Sequence, residues 1–123
     1  MYKFQFSIQA LPPTTNSHGR VHWAIKAKLA RQWKDIVCKM VYNHKPKKPL
    51  KKAKLVLTRH SSRACDADGI VSSFKHIIDG LVLGGVIEDD TMEIIGMPDY
   101  RYEKAPAKKG FVTILIEEIN LDK

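Results

Sequence analysis

The groups that could do chemistry in this chain are concentrated between Asp66 and Asp90. Asp66 and Asp68 stand two apart, Lys75 and Asp79 follow, and Glu88, Asp89 and Asp90 close the stretch. If the chain is extended at the first pair, both carboxylates point to the same side. Asp89 and Asp90 come a short turn after the helix expected between the two acid groups, and two elements of a small sheet can bring those groups together. Close carboxylates repel by roughly 4 kcal/mol per pair at an effective dielectric near 20. They protonate or splay unless a cation sits among them. Hard oxygen ligands with no histidine or cysteine between them select Mg²⁺ or Mn²⁺ over Zn²⁺.

On a helix starting near Asp68, residues Asp68, Ser72, Lys75 and Asp79 share a face clear of the apolar stripe. A lysine beside a carboxylate cluster can steady a phosphate oxygen or a developing oxyanion. The same residues also admit plain structural roles. Asp68 can be an N-cap, Lys75 and Asp79 an i,i+4 surface pair in the weaker orientation, and Asp89 and Asp90 loop acids. Spacing alone leaves both readings open.

The elements that must position these groups follow from periodicity. Residues 2–9 alternate, with Tyr2, Phe4, Phe6 and Ile8 on one face, as in a half-buried strand. Leu11, Pro12 and Pro13 end it, because proline cannot donate to a ladder. The loop 14–20 carries Asn16, His18 and Arg20, suited to gripping phosphate or to ordinary turn chemistry. A helix is expected over 23–42, striped by Ile25, Leu29, Trp33, Ile36, Val37 and Met40 and flanked by Lys26, Lys28, Arg31, Lys34 and Lys39. Segment 43–52 reads as a basic, proline-punctuated connector too polar to pack. A strand over 53–60 and a polar loop holding Arg63 lead into the acids. The second helix is expected over 69–83, with Ile70, Phe74, Ile77, Ile78 and Leu81 as its core stripe. Gly84 and Gly85 stop it. Residues 92–103 read as an irregular strand broken at Pro98, and 111–119 as a buried strand, with 121–123 expected to fray. The expected fold class is α/β (mixed α+β): one small domain, order β-α-β-α-β-β, a mixed sheet packed by two main helices.

The bulk numbers set limits on function. A chain of 123 residues, 44% hydrophobic and 28% charged, fits one globular domain. No apolar run approaches the roughly 20 residues that span a bilayer. No signal peptide is visible at the N-terminus, so a cytoplasmic location is expected. Cys38 and Cys65 are too few for a disulfide framework or a four-cysteine zinc site, and are expected as reduced thiols. The net charge of +8 favours polyanionic partners, nucleic acid ahead of acidic membrane surfaces.

Five features then occur in order: a proline-rich segment after the first strand (Leu11 to Asn16, LPPTTN), D-x-D at Asp66 and Asp68, a helical Lys75, Asp79 four residues on, and a turn from Gly85 to Asp89 and Asp90. In these the chain resembles the RusA-type Holliday junction resolvases (crossover junction endodeoxyribonucleases) of bacteria and their phages. The resemblance runs through nearly the whole chain. It implies that Asp66, Asp68 and Asp90 bind Mg²⁺ (Mn²⁺ substituting) and are needed for cleavage, that Lys75 is catalytic or contacts phosphate, and that Asp79 supports it. It also implies a homodimer, because opposite strands of a four-way junction must be nicked symmetrically. The expected function is therefore Mg²⁺-dependent endonuclease activity on branched DNA, by metal-activated attack of water on the phosphodiester. Asn16, His18, Arg20, Lys26, Arg63 and Lys75 are expected to hold the DNA. The alternative is a protein that binds branched or duplex DNA without cutting it.

Overall fold

The computed structural model of the chain describes residues 1–13 and 23–119. A mixed four-stranded sheet forms its base. It is built from β1 (Lys3–Ile8), β2 (Ala53–Ser61), β3 (Asp99–Lys104) and β4 (Phe111–Glu118), in the spatial order β1-β4-β2-β3. β4 runs antiparallel to both neighbours, with Phe6 opposite Ile114 and Leu57 opposite Ile114 from the other side. β2 and β3 pair in parallel, Leu57 with Tyr100. A parallel pair needs a long crossover. Here the crossover carries the whole acidic stretch and contains three helices: α2 (Ala67–Ser73), α3 (Lys75–Leu83) and α4 (Met92–Ile95). The longest helix, α1 (Trp23–Val41), precedes β2.

One face of the sheet is covered. Phe6 and Ile8, then Leu55 and Leu57, then Val112, Ile114 and Ile116 share a single core with Trp33, Val37 and Val41 of α1 and Phe74, Ile77, Ile78 and Leu81 of the crossover. Alternation along β1 and β4 places every second residue there, as expected for strands with one buried face. The α1 stripe is narrower than its sequence suggests. Trp33, Val37 and Val41 are buried, while Ile25 and Met40 are exposed. The near-continuous apolar stripe thus covers the sheet only from Trp33 onward.

Three local expectations are corrected. The second helix starts at Ala67 and divides at Phe74. The reason lies in Ser72 and Ser73, whose hydroxyls donate to the carbonyls of Gly69 (3.0 Å) and Ile70 (2.8 Å). Such back-bonding competes with the helical ladder and bends it. Residues 92–103 are a one-turn helix followed by β3, because the backbone N–H groups of Ile94 and Ile95 both donate to the Thr91 carbonyl. Segment 43–52 does pack. Leu50 is buried and forms a parallel bridge with Ile87, its N–H donating to Val86 O (2.9 Å) and its carbonyl accepting from Glu88 N (3.0 Å). That bridge fixes the start of the acidic turn. Cys38 and Cys65 are free thiols.

Candidate functional site

Each acid is held by a different local device. Asp66 caps α2: its backbone is extended, and its Oδ1 accepts from Gly69 N at 2.7 Å. The cap is thus Asp66, and Asp68 falls in the first helical turn, exposed. Both sit where negative charge is favourable, near a helix start. Lys75 opens α3 one turn later. Its ammonium donates to Asp79 Oδ1 at 3.0 Å and lies 3.6 Å from Asp90 Oδ2. The Asp79 hydrogen bond, joined by the charges of Asp79 and Asp90, raises the Lys75 pKa above its ordinary value, although burial opposes it. Asp89 folds its carboxylate back onto the N–H of Asp90 at 2.8 Å.

The turn is positioned from both sides. Gly85 has a positive φ of 81°, which suits glycine, and reverses the chain after α3. Gly84 has an ordinary helical φ and a different task. A Cβ there would lie 3.0 Å from Val41 Cγ2, and one on Gly80 would lie 2.7 Å from Val37 Cβ. The two glycines, four apart on α3, let α1 approach closely. As a result Lys34 of α1 lines a shallow cleft with Asp79, Asp89 and Asp90. A second groove, lined by Lys75, Met92, Pro98 and Tyr100, shares Asp90 with the first. Sequence reading placed Lys34 only on a cationic flank and did not single out Gly80. The small-residue spacing Gly80-x-x-x-Gly84 was the available signal.

The structure brings Lys75, Asp79 and Asp90 together. It does not gather Asp66, Asp68 and Asp90 into one ligand set: among the described residues, no group of three or more His, Cys, Asp or Glu side chains could hold a metal ion. The electrostatic reason is plain. Asp66 satisfies its carboxylate on a backbone N–H, and Asp90 faces the Lys75 ammonium. The donor chemistry of these three exposed carboxylates nonetheless fits a hard divalent cation. Of the expected DNA contacts, Arg63 is exposed in the loop after β2 and Lys26 is half-buried on α1. Asn16, His18 and Arg20 lie outside the described residues, as does 121–123. No described helix is long and apolar enough to cross a membrane. No protein-family model matches the chain, and no curated protein does.

Proposed function

We propose that this chain is a Mg²⁺-dependent endonuclease that cuts branched DNA, acting as a homodimer on four-way junctions. The observation that carries the reading is the Lys75–Asp79–Asp90 cluster: a lysine pinned by one carboxylate and presented to another at the turn that closes the acidic stretch. Asp66, Asp68 and Asp90 would hold the ion. Because one protomer does not gather the three, the turn 88–91 or a second protomer must complete the set. When bound, Mg²⁺ supplies activation of water and neutralisation of charge at the scissile phosphate. Lys75, kept protonated by Asp79, offsets charge that grows on the phosphate oxygens. Asp79 fixes the direction of that ammonium. The excess of positive charge, with Arg63 and Lys26 among its bearers, holds DNA arms by their phosphates, which reads shape more than sequence.

The test is junction nicking with Mg²⁺ by the wild type and by Asp68→Asn. The expected result is symmetric nicks by the wild type alone, with DNA binding retained or improved in the variant because a charge that repels phosphate is gone. Equal cutting by both would overturn the site. The absence of a three-carboxylate group within the described protomer favours a second reading, a module that grips branched or duplex DNA without cutting. A gel shift with no nicks at any Mg²⁺ concentration would support that reading instead.

A further inference from the structure

Among the described residues, Arg59 is the charged side chain that is buried, at 8% exposure. It continues the core face of β2 beyond Leu55 and Leu57, at the strand end that leads to Asp66. A buried cation is ordinarily matched by a carboxylate, because desolvating it alone is costly. Among the described residues Arg59 has no such match. It joins no ion pair among the described residues, and residues 14–22 contain no aspartate or glutamate. Burial accordingly pulls its pKa below the ordinary arginine value, and the opposing influence is only the nearby Cys65.

Its described partner is neutral. Nη1 donates to the Pro12 carbonyl at 2.7 Å, which uses one arm of a guanidinium fork that has several. The side chain is not wholly sealed, since 8% of its surface stays exposed. The surroundings are fixed. Leu11 packs against Gly110 where any Cβ would collide with it. Tyr102, the register partner of Arg59 on β3, donates its hydroxyl to Ser61 O at 3.0 Å. This cradle holds a planar donor fork with no counter-ion among the described residues.

We propose that Arg59 is an oxyanion-binding site, at the end of β2 under the Leu11–Pro13 segment, and that its ligand is a phosphate group. A planar fork matches two phosphate oxygens at once. Assigning it to a DNA backbone rests on the nuclease reading above; the oxyanion site itself does not.

The experiment uses the full chain. Thermal melts are recorded in inorganic phosphate and in sodium chloride of equal ionic strength, for wild type, Arg59→Met and, as a surface control, Lys109→Met. Phosphate should raise the melting temperature of wild type and of the control by a few degrees more than chloride does, and should leave Arg59→Met unmoved. Affinity for a labelled junction is then measured against salt without Mg²⁺. Arg59→Met should weaken it about tenfold and reduce the slope of log K against log salt by about one. A role confined to tethering Pro12 would lower the melting temperature and leave both the phosphate response and the salt slope unchanged, which overturns the proposal. If Arg59→Met does not fold, the Arg59 Nε–H NMR signal of the wild type decides. Movement with phosphate but not chloride supports the site, and no movement overturns it. A phosphate response with unchanged junction affinity overturns the DNA assignment and restricts the ligand to free phosphate. A phosphate response in a chain that never nicks junctions sinks the nuclease reading while the oxyanion site stands.

Discussion

Asp66 caps α2, and the proposed reading adds a second role in cleavage that a substitution can separate from the first. As an N-cap it accepts a hydrogen bond, and asparagine does that as well as aspartate. Asp66→Asn is therefore expected to keep its melting temperature and to lose cleavage, whereas Asp66→Ala should lose cleavage and about 1 kcal/mol of stability. Urea unfolding and a nicking assay on the pair check this; an Asn variant that unfolds as readily as Ala would show that the cap is not what Asp66 supplies. Lys75 permits a pH test. Its pKa is raised in the folded state, so its pairing with Asp79 and Asp90 stabilises the fold fully below the ordinary lysine value of 10.5 and is lost as pH rises through the higher folded value. The melting-temperature gap between wild type and Lys75→Met should be constant around neutral pH and close in the strongly alkaline range. The same variant should cut about 10²–10³-fold more slowly, the usual cost of removing one donor to a developing oxyanion.

At the scale of elements, the acid turn depends on how α3 lies against α1. Gly80 is the contact point: a methyl there meets Val37 Cβ at 2.7 Å and the Lys34 backbone at 3.3 Å. Neither neighbour can swing away, so Gly80→Ala should cost roughly 1–3 kcal/mol by overpacking. It should also reduce cleavage in the folded fraction, because Lys34, Asp79 and Asp90 share the cleft that this approach creates. Chemical denaturation gives the first effect, and single-turnover cleavage below the transition gives the second. Phe74 is the other pivot. It has no exposed surface, joins α2 to α3, and meets Tyr100 of β3 with ring centroids 6.1 Å apart. Phe74→Ala should cost about 3–5 kcal/mol, enough to unfold a marginal domain.

Across the whole molecule, the charge imbalance of +8 is the feature on which the proposed DNA binding rests. Binding through phosphates releases counterions, so junction affinity should fall steeply with salt, with a slope near −0.9 per phosphate contacted. A flat dependence in fluorescence anisotropy would remove DNA from the account. One sheet face is covered by helices and core. The single crossover that links the parallel strands β2 and β3 carries all the candidate acids, in its helices and in the turns between them.

Local rules already pointed to much of this. Alternation in residues 2–9, the aliphatic run after Gly110 and the stripe through Trp33 and Val37 are short-range patterns, and the strands and helices formed where those patterns lie. The i,i+4 pairing of Lys75 with Asp79 is local too, and it is present. What no short window holds is the bridge from Leu50 to Ile87, the meeting of Gly80 with Val37, the reach of Asp90 to Lys75, and the burial of Arg59 under Pro12. Each joins residues well apart in the chain, and each depends on which surfaces are left over once the core has closed. The residue types of the acidic stretch could be named from their order alone. Which of them touch is a consequence of packing, since a carboxylate turns to whatever charge the fold places within reach.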